Sequence, residues 1–226
     1  MKFKREIGIL LLAFLCGPAQ GALYHFDSSS SAPVPDGDRN GLQDTRTLTG
    51  IPSMITDVRV TLNISGGFNG DLYAYLNHNG TIVPLLNRVG VGGSDAFGYG
   101  GSGMNITLAD GGSDIHGVSN PTLNEIYAPD GRDIGPLSSP TSFDTASRVT
   151  LDGSFGGTDP NGNWTLFFAD VSSGGGQSTV VGWSLDIVVV PEPINVALGV
   201  FGGLFLAGTL CGNERVQKLF IKARAR

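Results

Sequence analysis

The chain has 226 residues, 35 of them glycine and 2 cysteine, and a formal net charge of −6. An acidic balance repels phosphate backbones, which excludes nucleic acid as an expected partner. The two cysteines, Cys16 and Cys211, lie in terminal apolar stretches, so the middle of the chain has no disulfide framework and its core must come from apolar packing.

In chain order, Lys2, Lys4 and Arg5 precede the apolar stretch 7–15, which breaks at Gly17-Pro18 before small residues. This is the layout of a secretory signal peptide over 1–21. Cleavage is expected between Gly21 and Ala22, since Ala19 and Gly21 suit the small-residue pockets of the cleavage site. Residues 22–32 read as a linker. Between Ala22 and Val190 the chain carries 6 arginines and 17 acidic residues, a balance of −11, and lysine is confined to the flanks. This stretch of about 170 residues suits one domain with a sizeable core.

Asp36-Gly37-Asp38-Arg39-Asn40-Gly41 copies the opening half of a calcium loop, with oxygen ligands at alternate positions around a turn. The acidic residue expected six positions after Gly41 is Thr47, which excludes the helix-loop-helix version. No metal or cofactor is assigned. Asp71, Asp110, Asp114 and Asp170 can converge at one end of a sandwich, but the sequence alone does not bring them together.

From residue 55 onward the pattern is β. Val58, Val60, Leu62 and Ile64 alternate with Asp57, Arg59, Thr61 and Asn63, the period of a half-buried strand. Residues 71–77 and 81–86 are strand-like and joined through Asn79-Gly80, the strongest short-range hairpin signal. Residues 105–110, 163–170 and 180–190 repeat the theme, with glycines gathered between the runs. The reading is an all-β, jelly-roll-like antiparallel sandwich. Trp164 and Trp183 lie on such strands and are expected in the core, whereas Tyr73 and Tyr75 share one strand face and, with Tyr99 in a glycine-rich loop, can form an exposed tyrosine strip for sugar stacking. His25, His78 and His116 sit in unrelated contexts and read as loop or surface residues, so no Ser-His-Asp set assembles and no catalytic residue is assigned. Residues 98–103 formally spell a dinucleotide fingerprint, but a β run follows where a helix must receive the phosphate.

The chain then presents Pro191-Glu192-Pro193, an apolar segment 194–210 and a basic tail, 211–226, holding Arg215, Lys218, Lys222, Arg224 and Arg226. About 17 apolar residues is the lower limit for a transmembrane helix. The positive charge after it sets a cytoplasmic C-terminus. Two prolines hold the tripeptide extended and outside helix hydrogen bonding, accessible above the membrane.

This ending resembles the PEP-CTERM sorting signal of exopolysaccharide-producing Gram-negative bacteria, here spanning 189–226. The resemblance implies that the membrane enzyme exosortase reads Pro191, Glu192 and Pro193 and processes the protein. The basic run is diluted here to Cys-Gly-Asn-Glu-Arg, a departure from the family's dense arginine cluster.

The segments Gly70-Asp71-Leu72 with Asn79-Gly80-Thr81, and Gly162-Asn163-Trp164-Thr165-Leu166 with Asp170 and Gly182-Trp183-Ser184-Leu185, resemble the P domain (homo B domain) of subtilisin-like proprotein convertases. Residues 107–117 and 127–139 add to that likeness, which covers 33–188. It implies a jelly roll that packs against a protease domain in convertases, although the chain holds no protease domain beside it. Together the resemblances imply a noncatalytic exported protein. It is anchored in the inner membrane before exosortase processing and then delivered to the cell surface or the biofilm matrix, for a structural or adhesive role toward exopolysaccharide or a surface protein. The alternative implied by the P-domain likeness is an accessory partner that stabilises a separately encoded exported subtilisin-like protease.

Overall fold

A computed structural model describes residues 21–29, 31–123, 125–190, 199, 201–205 and 208. Ten strands follow one another: β1 (Ala22–Ser28), β2 (Ala32–Pro33), β3 (Leu42–Leu48), β4 (Met54–Gly66), β5 (Leu72–His78), β6 (Thr81–Asn87), β7 (Met104–Asp114), β8 (Ile126–Ala128), β9 (Gly162–Asp170) and β10 (Ser178–Val190). Two short helices, α1 (Pro140–Phe143) and α2 (Leu151–Phe155), lie between β8 and β9. Sheet A has the order β1-β10-β4-β7-β8, with β2 also on β10, and sheet B has the order β3-β9-β5-β6.

The alternation read along β4 is the one that packs. Val58, Val60 and Leu62 are fully buried and Ile64 nearly so, while Arg59 on the opposite face is exposed. Leu185, Ile187 and Val189 of β10 bury beside them. From sheet B, Leu72, Ala74 and Leu76 of β5 meet Trp164, Leu166 and Phe168 of β9, forming one continuous core with the sheet A residues. Each such aliphatic side chain contributes about 1.5–3 kcal/mol when fully removed from water. A register shift opposite Val188 and Val189 lets both Ile55 and Val58 point inward, and Thr56 Oγ1 donates to the Val188 carbonyl there at 3.1 Å.

The Asn79-Gly80 turn takes φ of 50° and 86°, both left-handed, and joins His78 directly to Thr81 across the hairpin. Left-handed φ at both central positions is the backbone that matches strand twist in a two-residue hairpin. Residues 98–103 run straight into β7, so the formal dinucleotide pattern opens no helix.

The fold departs from expectation in two places. β8 pairs parallel with β7 at the edge of sheet A, so the sandwich is not antiparallel throughout. Residues 22–32, expected as a linker, instead contribute β1 and β2 to sheet A, with Tyr24 and Phe26 packed against the core. The sandwich therefore runs over 22–190. Residues 1–20 and the Pro191-Glu192-Pro193 tripeptide lie outside the described residues, as does most of 194–210. Residues 199, 201–205 and 208 are helical, with Phe201, Leu204 and Phe205 exposed, and no helix among the described residues is long and apolar enough to cross a membrane.

Candidate functional site

β1 and β10 are antiparallel neighbours with Ala22 opposite Val189, so the chain enters and leaves the sandwich side by side at one end of sheet A. β10 spans 13 residues. At ~3.3 Å per residue the opposite, distal end is about 40 Å away. Gly21 and Ala22, the expected cleavage pair, sit at the start of β1 at the entry end.

The distal end gathers three of the aspartates. Asp71 closes a single 3-10 turn, Asn69–Asp71, between β4 and β5, and Asp170 ends β9. Asp36 accepts from the Gly174 backbone N–H at 3.3 Å. Asp170 is 1 % exposed, and burial above all pushes its carboxyl up to about 6. The bond from Ser172 N works against this, and the Asp71 and Asp36 carboxylates add to it. Burial likewise raises Asp71, opposed by Arg88. Phe68, Asp71, Phe97 and the 172–175 loop line a depression of ≈ 370 Å³ beside them. Gly70 makes this corner possible: a Cβ there would lie 2.2 Å from the Phe97 carbonyl oxygen, while its own N–H donates to Tyr99 O at 2.9 Å.

The 36–41 stretch is a tight turn in which Asp38 Oδ1 accepts from both Asn40 N and Asn40 Nδ2 at 2.9 Å. Among the described residues no group of three or more His, Cys, Asp or Glu is arranged to hold a metal ion. Asp110 and Asp114 go elsewhere. Asp110 accepts from Leu151 N and Asp152 N, capping α2.

Two histidines correct the sequence reading, being buried rather than at the surface. His78, at the inward-facing end of β5, stacks on Trp164 with centroids 4.0 Å apart and donates to the Asp159 carbonyl at 2.8 Å. Its flat ring fills a core position while its nitrogens satisfy main-chain oxygens. His116 places Nδ1 2.6 Å from Asp130 Oδ2 and donates from Nε2 to Val91 O at 2.9 Å, with Phe143 of α1 stacked on its face. Arg132 bridges Asp130 and Asp114 at 3.2 and 3.1 Å, and Arg148 reaches Asp114 at 3.2 Å. This network ties the 115–150 excursion to the sandwich. His25 lies on the outer face of sheet A between Asp186 and Asp27, and the Asp186 bond above all raises its pKa. The described partners of all three rings are carboxylates, carbonyls and an amide.

Neither a protein-family model nor a curated protein matches the chain. The solved structures that match the chain include two of one enzyme. One is the serine protease of Aeromonas sobria in complex with its chaperone, with 14% identity over 76% of this chain and 27% of that chain, at a TM-score of 0.41. The second, of serine protease of Aeromonas sobria, shows 14% identity over 74% of this chain and 26% of that one, at 0.40. The chain thus spans about a quarter of the length of those proteins.

The outer faces of the two sheets differ in chemistry. On sheet B, Phe167, Ala169 and Val171 form a second apolar cluster, separate from the core, with Tyr73 and Tyr75 packed on it. Tyr75 stacks on Phe167 at 4.7 Å, and Tyr73 meets both rings edge-on. Burial raises the Tyr73 phenol, with Tyr75 and nearby Asp133 adding. Tyr73 and Tyr75 do share this face, but as half-buried rings packed on the buried Phe167 of β9, which the strand pattern did not mark, and not as an exposed strip. Tyr99 is elsewhere, packed over Gly90. Trp164 is fully buried and Trp183 is 5 % exposed, both in the core. Trp183 Nε1 donates to Asp44 Oδ2 at 2.9 Å, and Ser28 and Arg46 join the same carboxylate, latching the two sheets together along one side. Burial opposes ionisation of Asp44, but these three bonds together hold its carboxyl below the usual carboxylate value. Only the β1–β10 register, which sets Ser28 opposite Trp183, and the closure of the sheets bring these two to Asp44 and Arg46 of β3, so the spacing in the sequence does not reveal them.

Proposed function

We propose that this chain is a noncatalytic display module. Residues 1–21 export it across the inner membrane of a Gram-negative bacterium, cleavage falls between Gly21 and Ala22, and segment 194–210 holds it in the membrane until exosortase acts at Pro191-Glu192-Pro193. The product is a compact sandwich at the cell surface or in the exopolysaccharide matrix, with a structural or adhesive role. The observation that supports this reading is the pairing of Ala22 with Val189. Because both flanks leave from one end of one sheet, their removal takes away no strand of the sandwich. The distal loops then lie at the other end of the strands from the anchor. The noncatalytic part of the reading rests on the three histidine rings, whose nitrogens are engaged by carboxylates and main-chain carbonyls.

Fractionation of producer cells with and without exosortase tests the route. The expected result is a shortened protein outside the inner membrane in the parent strain, and full-length protein retained in that membrane on deletion. Replacing Glu192 with Ala in the parent strain should reproduce the deletion. Identical size and location in both strains overturns the route.

A further inference from the structure

We infer that the entry end of sheet A carries a lipid-contact patch, built from Leu23, Met54, Val188 and Val190, that rests on zwitterionic lipid while the chain is membrane-anchored. This rests on the display reading above and names the surface by which the sandwich meets its membrane. The register builds the patch in two rows. Val190 of β10 lies opposite Met54 of β4, and one row further from the end Val188 lies opposite Leu23 of β1. Ile187 and Val189 point into the core, so the residues that alternate with them share the outer face. Leu23 is 63 % exposed and Met54 40 %, while Val188 and Val190 are half-buried. Asp57, opposite Val188, is the charged group beside these rows, and it accepts from Arg59 Nε at 2.9 Å.

The third row is charged: His25, Asp186 and Arg59 lie side by side across the same three strands. At about 3.3 Å per residue that row stands ~13 Å from Val190. Interfacial apolar side chains sink about 5–10 Å into the boundary between headgroups and acyl chains, a depth that takes in the first two rows and stops short of the third. Asp159 and Asn161 border the same end on its sheet B side, where the Asp159 carbonyl holds the His78 ring. The sheet A side is therefore the one that meets lipid.

The length of the tether names the occupant. Val190 ends β10 and the apolar segment starts at 194, so Pro191-Glu192-Pro193 alone separates the two. Four backbone steps extend at most about 14 Å, which keeps this end at the bilayer surface in every orientation. A tether that short gives the patch a high effective concentration of lipid, so a small apolar area is enough for contact. The contact holds the tripeptide at headgroup level, where a membrane enzyme acts. Processing then cuts the tether, and the same patch has too little apolar area to keep the released sandwich on the membrane. The sandwich carries 17 acidic residues against 6 arginines and repels anionic headgroups, so lipid without net charge is what the patch meets.

The test is fluorescence quenching in the full chain, reconstituted into phosphatidylcholine vesicles that carry a nitroxide near the carbonyl end of one acyl chain. Cys16 and Cys211 are replaced by Ser, and a single fluorophore is attached through Met54→Cys in the patch or Ser173→Cys in the exposed distal loop. The label at 54 should be quenched at least about threefold more than the label at 173, and added salt should leave the difference unchanged. Leu23→Asp places a charge in the patch and should lower the quenching at 54 without changing the melting temperature. The reciprocal pair, a label through Leu23→Cys with Met54→Asp, reads the same contact should the first pair fail to fold. Equal quenching at 54 and 173, quenching that salt abolishes, or quenching that neither charge substitution lowers overturns the patch, the last because the tether alone would then hold the end near lipid. A dimer in detergent that Leu23→Asp dissociates overturns it as well, since a second copy of the chain would own the surface. Vesicle flotation separates the two readings: a chain that does not float removes the anchor and the patch with it, whereas a floating chain with unquenched labels removes the patch alone.

Discussion

On the outer face of sheet A, His25 lies between Asp27 and Asp186 and Arg59 pairs with Asp57 at 2.9 Å. On the outer face of sheet B, Tyr75 stacks on Phe167 and the strand residues beside them are uncharged, Asp133 being the carboxylate nearby. Both faces cover the same core, and both sets of strands alternate with period two. Packing constrains the inward half of each strand and leaves the outward half free, so the difference between the faces is set by what each must do in solvent. Charged pairs at an exposed sheet surface maintain solubility and contribute little stability. On sheet B the outward aromatics instead pack on one another as a second apolar cluster.

The comparison breaks most completely by removing what the faces share. Trp164→Ala takes a fully buried ring from between His78 and Phe155. It should lose about 3–5 kcal/mol in denaturant unfolding.

Second in size is the pH dependence of the distal end. Asp170 has its carboxyl raised to about 6, so its ionisation opposes folding. The penalty is absent below the unfolded carboxylate pKa, grows as pH rises toward the folded value, and is complete above about 6. Asp170→Asn keeps an acceptor for Ser172 N. It should melt a few degrees above wild type at about pH 8 and level with it at about pH 3. Equal melting temperatures at the higher pH would show that the carboxylate is compensated there.

A third change acts on sheet B alone. Gly80→Ala forces a Cβ into the left-handed turn of the β5–β6 hairpin, where φ is 86°. A loss of about 1 kcal/mol is expected, read by thermal or denaturant unfolding, with the hairpin amides exchanging faster than those of sheet A. The smallest effect belongs to the charged face. Arg59→Gln should change stability by less than about 0.5 kcal/mol in denaturant unfolding.

By itself the sequence determined the β architecture: the alternation through Val58, Val60, Leu62 and Ile64, the Asn79-Gly80 hairpin, and the inward tryptophans are local patterns whose physics acts within a few residues. It also placed Tyr73 and Tyr75 on one face, because period two is a property of a single strand. The same local logic missed β1, where Leu23, His25 and Asp27 alternate with Tyr24 and Phe26, because the run follows directly on the expected cleavage point and reads as a linker. Only the tertiary structure decided that β8 runs parallel, that His116 meets Asp130, and that Phe167 completes the aromatic row. Each of those depends on which strands become neighbours. That choice is made by closure of the whole core, since contacts between residues 14 to 161 positions apart leave no trace in the spacing of either partner.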